Sequence, residues 1–131
     1  MKMESGVSAI LIHEDKILLQ LRDNKLDISY PNFWGLIGGR IEENESPEET
    51  VKREVFEELG CKIDHPVLFR TFKFEGKIEY AFFERLNEIN LNRFFEGQEI
   101  KLFDFNELSK LKIRPDDRET IEKYINEKIN K

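Results

Sequence analysis

The stretch from Gly38 to Gly60 constrains this chain more tightly than any other part of it. It opens on Gly38-Gly39, crosses a polar loop and enters a helix whose two ends are legible in the residues themselves. Ser46 is a helix N-cap, Pro47 suits the first helical position, and Glu49 completes a capping box with Ser46. Gly60 is the residue on which the helix stops. Between these ends lie Glu54, Glu57 and Glu58. At roughly 100° per residue they share an arc of roughly 100° on one helix face. Like charges at i, i+4 repel, and two of these carboxylates sit in the last turn, where the helix dipole disfavours anions. Arg53 offsets part of that charge. A hard divalent cation would offset the rest, because Mg²⁺ takes oxygen ligands and shares them with substrate phosphates. Taken alone, the three carboxylates fit a solvated acidic face equally well.

The remaining elements place this helix in a fold. Val7 to Ile12 and Ile17 to Leu21 read as strands joined by a turn at Glu14-Asp15-Lys16. Asp23 to Asn32 reads as a loop, and Phe33 to Ile37 as a short strand running into Gly38-Gly39. Pro66 to Phe74 and Lys77 to Leu86 form a hairpin turned at Glu75-Gly76, and Glu99 to Phe105 is a further strand. Pro115 opens a last helix with Ile121, Tyr124, Ile125 and Ile129 on one face. This order predicts an α+β fold with helices packed on a mixed sheet.

Length and charge narrow the function. The chain has 131 residues, which suits one domain over 1–131 that needs no disulfide or structural metal to fold. Its net charge of −6 argues against a nucleic-acid polymer or an anionic membrane as partner. The single Cys61, the lack of a leader pattern and the lack of a long apolar run lead us to expect a cytoplasmic protein.

The wider spacing around the acidic helix carries more information than the carboxylates do. From Gly39, five residues lead to Glu45 and seven more to Arg53-Glu54-Val55; Phe56, Glu57-Glu58, Leu59, Gly60 and Cys61 follow. Written as G-x5-E-x7-R-E-U-x-E-E-x-G-U, with U a bulky apolar residue, this resembles the signature of the Nudix (MutT-like) hydrolase family. At this chain's composition, a chance match of the seven fixed positions is on the order of 10⁻⁵. Two positions depart from the common pattern. Cys61 stands where Ile, Leu or Val is usual, and packs as a small hydrophobe. Ile37 stands where many relatives carry a proline. The strand into Gly-Gly, Glu96-Gly97-Gln98, and the run Phe103 to Leu108 extend the resemblance over most of the chain.

The resemblance implies a Nudix α/β/α sandwich and hydrolysis of a diphosphate linked to another group, with Mg²⁺ or Mn²⁺ as cofactor. It implies Glu54, Glu57 and Glu58 as metal ligands, joined by the Gly38 carbonyl, with Gly39 against the substrate. It pairs Arg53 with Glu45 or Glu57, fixing the loop to the helix. Glu96 resembles an added carboxylate that is a metal ligand or general base, with Glu99 as its rival in the same loop. Arg22 resembles a phosphate-binding position. Phe74, Tyr80 or Phe82 are candidates to stack on a nucleobase, the alternative being that they fill the core. His13 and His65 lack metal-ligand spacing and receive no role.

Features outside the signature point by subtraction to a MutT-like nucleoside triphosphate pyrophosphohydrolase giving nucleoside monophosphate and pyrophosphate, with oxidised nucleotides such as 8-oxo-dGTP as one substrate class. Hydrolysis of ADP-ribose, nucleotide sugars or dinucleoside polyphosphates is the alternative, as is a module that binds nucleotides without turnover. The expected partner is a small nucleotide. Monomer and homodimer both remain open.

Overall fold

The computed structural model describes residues 4–23, 30–91 and 99–129. Among these residues, seven strands form one mixed sheet: β1 (Ser5–His13), β2 (Lys16–Leu21), β3 (Trp34–Gly35), β4 (Ile37–Arg40), β5 (Val67–Phe74), β6 (Lys77–Arg85) and β7 (Glu99–Phe103). The sheet runs β3-β2-β1-β6-β5, with β4 paired to β1 and β7 to β2. Among the strands of the described residues, β1 and β6 are the parallel pair, with Gly6 opposite Glu79 and Ser8 opposite Ala81.

Strand alternation sorts the core into two layers. Val7, Ala9 and Leu11 of β1 and Leu18 of β2 pack with Val51, Val55 and Leu59 of α1 (Pro47–Leu59). Ile10, Ile12, Ile17 and Leu19 point the other way, onto Leu108, Ile113, Ile121 and Tyr124. Those last two belong to α2 (Pro115–Tyr124), which a π-helical turn, Ile125–Ile129, extends. The result is an α/β/α sandwich, as expected. Each fully buried aliphatic side chain contributes about 1.5–3 kcal/mol. Arg70 ties β5 to α2, donating to Thr120 Oγ1 (3.0 Å) and Glu119 Oε1 (2.8 Å) while stacking on Phe72.

Both predicted hairpin turns form, each with two left-handed residues that match the strand twist: Glu14 and Asp15, then Glu75 and Gly76. Lys16 belongs to β2 rather than to the turn. The expected continuous strand over Phe33–Ile37 is broken. Leu36 donates its N–H to Asp117 Oδ2 (3.0 Å) instead of to a neighbouring strand, and this divides β3 from β4. The last strand stops at Phe103 rather than Phe105. Asp104 donates its N–H to Glu107 Oε1 (2.8 Å) and starts a 3₁₀ turn, Phe105–Lys110. In α2, Ile121 and Tyr124 are buried, and Ile125 of the following turn is half-buried; the side chain of Ile129, expected on the same face, lies outside what is described.

Candidate active site

The helix α1 begins as its sequence dictates. Ser46 Oγ accepts the Glu49 N–H (3.1 Å) and Glu49 Oε1 accepts the Ser46 N–H (2.9 Å). Gly60, at φ 65°, ends it in the left-handed conformation. These ends fix the rotation of α1, and with it the acidic face.

Arg53 organises that face. Its Nε donates to Glu45 Oε2 (2.7 Å) and its Nη2 to Glu45 Oε1 (3.0 Å), a bidentate fork. Its Nη1 donates to Glu54 Oε1 and to Glu57 Oε1, both at 3.0 Å, and Nη2 reaches the Arg40 carbonyl (3.2 Å). Glu45 also accepts from the Glu42 N–H (3.1 Å) and the Thr50 hydroxyl (3.0 Å). The Arg53 hydrogen bonds hold the Glu45 carboxyl down at about 2, against an ordinary 4.5. Arg53 therefore bonds both Glu45 and Glu57.

The three glutamates differ in exposure. Glu58 is buried, at 7% exposed, and its Oε2 takes no hydrogen bond although the residue has other contacts. The Glu54 side chain is 14% exposed and that of Glu57 53%. Glu54 lies directly on Gly39: a Cβ there would fall onto the carboxylate. A Cβ on Gly38 would strike the Val7 carbonyl. Gly38 is thus required by its close approach to the β1 backbone, whereas a Cβ at Gly39 would displace the tip of the Glu54 side chain. The donor set, hard carboxylate oxygens beside bare backbone, suits a divalent cation. Among the described residues, no three acidic, His or Cys side chains already stand at metal-holding separation. Arg53 bonds two of the three glutamates instead.

Gly38 and Gly39 also line a cavity of about 300 Å³. Arg22, a predicted phosphate-binding residue, lines it too; burial and then the charge of Arg114 lower its pKa from the usual arginine value. Arg114, Asp116 and Asp117, at the start of α2, line it as well, as does Glu79 of β6, whose carboxylate lies over Gly6. Arg114 Nε donates to Asp116 Oδ1 (2.9 Å). Asp117 is 6% exposed; burial, then the neighbouring Asp116, push its carboxyl up to about 7. Burial, then Asp116, also raises Glu79.

The structure gathers Gly39, Glu45, Arg53, Glu54 and Glu57 in one place, with Gly38 and Arg22 on the cavity that Gly39 lines, while Glu58 is buried on the same helix. Glu96 lies outside the described residues. Glu99 is exposed at the start of β7, opposite Leu21, and does not line the cavity. Of the aromatic candidates, Phe74 lines the cavity, whereas Phe82 is core and Tyr80 packs against it on the α1 side. Sequence reasoning missed Glu79, Arg114, Asp116 and Asp117. Acidic residues after Pro115 read as an ordinary first turn, and only the fold carries them to the cavity.

Comparison with known proteins bears on the family and the fold. A family model described as NUDIX domain matches residues 2–124. An 8-oxo-dGTP diphosphatase of Buchnera aphidicola is 36% identical over 84 residues, covering 63% of this chain and 63% of the relative. A CTP pyrophosphohydrolase of Escherichia coli is 40% identical over 62 residues, covering 47% and 44%. The chain thus spans less than two thirds of the length of these two relatives. A solved structure of MutT, from work on Aliivibrio salmonicida and Vibrio cholerae, superimposes with a TM-score of 0.81 at 20% identity, covering 95% of this chain and 98% of that one. No described helix is long and apolar enough to cross a membrane.

Proposed function

This chain belongs to the NUDIX family of hydrolases, and on that premise we propose that it cleaves a diphosphate linkage in a nucleoside triphosphate, releasing nucleoside monophosphate and pyrophosphate. The observation that carries the reading is the acidic face of α1 meeting the cavity at Gly39. Relatives named for 8-oxo-dGTP and CTP hydrolysis support a triphosphate substrate, oxidised nucleotides included.

In this reading Glu54, Glu57 and Glu58 hold the cofactor, Mg²⁺ or Mn²⁺, together with the Gly38 carbonyl. When bound, the cation neutralises the diphosphate and acidifies the attacking water. Every other contribution comes from the chain. Arg53 and Glu45 lock the loop to α1, so the carboxylates stand in fixed positions. Arg22 pairs with a phosphate oxygen, for which its guanidinium fork is shaped. The absent side chain at Gly39 leaves room for the Glu54 carboxylate to lie against the loop. The water oxygen bonds to phosphorus as the bridging P–O bond breaks, and pyrophosphate leaves. The proton passes to a carboxylate, for which Glu96 is our candidate beside the α1 glutamates.

The test is a product assay with Mg²⁺ or Mn²⁺ over canonical and oxidised nucleoside triphosphates, ADP-ribose, nucleotide sugars and dinucleoside polyphosphates. Pyrophosphate release from a triphosphate, well above the other classes, is the expected result. Preferred cleavage of ADP-ribose or a dinucleoside polyphosphate overturns the triphosphate assignment. No turnover of any member overturns the hydrolase reading in favour of a binding module.

A further inference from the structure

One extra residue in β5 decides which of its side chains face the cavity. Leu68 stands opposite Phe82, on the α1 side of the sheet, and regular alternation would put Arg70 on that side too. The register shifts between Leu68 and Arg70, so that Arg70 stands opposite Ala81 and Phe72 opposite Glu79. The bulge thereby turns Arg70, Phe72 and Phe74 to the α2 side, where the two phenylalanines line the cavity. These rings stand apart from the glycine pair. Arg40, Gly6, Glu79 and Phe72 form one row across β4, β1, β6 and β5. Three strand spacings, about 14 Å, separate the ends of that row. Arg22 follows β2, which is likewise three strands from β5. A nucleotide with its phosphates at the glycine pair and Arg22 reaches the β5 wall with the part farthest from them, its base.

Phe72 is held from behind. The Arg70 guanidinium carbon lies 4.0 Å from its ring centroid, a cation–π stack. Phe72 lines the cavity and Arg70 does not, so the guanidinium covers the ring on a side away from the ligand. Arg70 is pinned in turn. Its side chain is 15% exposed, with Nη1 donating to Thr120 Oγ1 (3.0 Å) and Nη2 to Glu119 Oε1 (2.8 Å). Thr120 is fully buried, and its hydroxyl donates to the carbonyl of Asp116 (3.0 Å), a residue that lines the same cavity. Arg70 thus fixes the Phe72 ring relative to the start of α2. A side chain ordered before binding loses little rotamer freedom when the ligand arrives.

We propose that Arg70 is a positioning residue for substrate binding that acts through Phe72, holding that ring as the flat wall on which the nucleobase packs. The proposal deepens the nucleotide-hydrolase reading and rests on it for the identity of the ligand and the direction in which it lies. Arg70 touches no reacting atom, so its contribution is to affinity for the base-bearing end of the substrate.

Equilibrium binding in Mn²⁺ tests this separately from turnover. The probes are dAMP, dCMP, dGMP and dTMP against deoxyribose 5-phosphate, the same ligand without its ring. Wild-type protein should bind the tightest of the four roughly 10- to 100-fold more strongly than the sugar phosphate, the range of base–aromatic stacking. Arg70→Met and Phe72→Leu should each cut that ratio by about 3- to 10-fold, the scale of an aromatic pair, and leave the sugar phosphate unaffected. The double variant should fall within about twofold of the weaker single one, because both changes remove one wall. Arg70→Lys can keep a hydrogen bond to α2 but has no plane to lay on Phe72. It should melt closer to wild type than Arg70→Met does, with its ratio still reduced. Equal binding of all five probes by wild-type protein overturns the proposal, as does an unchanged ratio in Arg70→Met. So do losses that multiply in the double variant, equal weakening of nucleotide and sugar phosphate, or a ratio that Arg70→Lys restores together with the melting temperature. Absence of hydrolysis by wild-type protein, with the binding ratios as expected, refutes the catalytic reading and leaves the role of Arg70 standing.

Discussion

Replacing Arg53 with alanine tests how much of the site one side chain holds together. The guanidinium makes two hydrogen bonds to Glu45 and one each to Glu54, Glu57 and the Arg40 carbonyl. It is 26% exposed and Glu45 is 19% exposed, so solvent screens the network only in part. An exposed ion pair contributes up to about 1 kcal/mol, and breaking a buried one costs about 3–5 kcal/mol. The intermediate burial puts Arg53→Ala at about 2 kcal/mol. Glu45 keeps the Glu42 N–H and the Thr50 hydroxyl, which limits the loss. At roughly 2 cal/mol/K per residue, the unfolding entropy of this chain is about 0.3 kcal/mol/K, so the melting temperature should fall by about 7 °C. Arg53→Lys should recover less than half of that, because an ammonium cannot reproduce the fork. Turnover should fall further than stability, by on the order of 10²-fold, a scale set by groups that orient metal ligands. Calorimetry and pyrophosphate release measure the two. A melting temperature within about 1 °C of wild type would show that the network is solvated surface pairing and would refute the reasoning.

Three further outcomes follow from the same geometry. Saturating Mn²⁺, at about 100 times its dissociation constant, should add about 2.7 kcal/mol and raise the melting temperature by on the order of 10 °C; no shift would remove the metal from the account. Gly39→Ala should lower turnover severely, because the new Cβ falls on the Glu54 carboxylate, and a rate near wild type would show that this close approach is unimportant. Asp117→Asn should flatten the pH dependence of stability. Asp117 has a folded pKa above its unfolded value, so the folded state binds the extra proton and stability is lost as pH rises from about 4 through about 7. The variant should therefore gain melting temperature over wild type above neutrality and little near pH 4; a parallel curve would contradict the buried, raised carboxyl.

The parts of the molecule legible in the sequence are those set by neighbours in the chain. Ser46, Glu49 and Gly60 define α1 through contacts spanning a few residues, and both hairpin turns rest on two residues each. The 3₁₀ turn had a local signal, Asp104 followed by Glu107, but the apolar residues Phe103 and Phe105 extended the strand reading across Asp104. The break at Leu36 had no local signal, because its cause, Asp117, lies 81 residues away. The same distance hid the far wall of the cavity. Arg114, Asp116 and Asp117 look like the polar start of any helix, and Glu79 looks like the exposed phase of a strand. The acidic helix face was readable because its spacing is regular, whereas the clamp that Arg53 makes across Glu45, Glu54 and Glu57 needed coordinates to resolve.

The central claim is that the α1 glutamates carry metal-dependent hydrolysis at the glycine-lined end of the cavity. The most direct measurement is pyrophosphate release by wild type and Glu57→Gln, side by side, with Mn²⁺ and with a chelator. Glu57 is half-exposed at the end of α1, so the amide should leave the fold intact, with a melting temperature equal to wild type or slightly higher as like-charge repulsion falls. The account predicts turnover by wild type that the chelator abolishes, and a drop of at least about 10²-fold in the variant. Equal rates for the two proteins, or hydrolysis that survives the chelator, would contradict it.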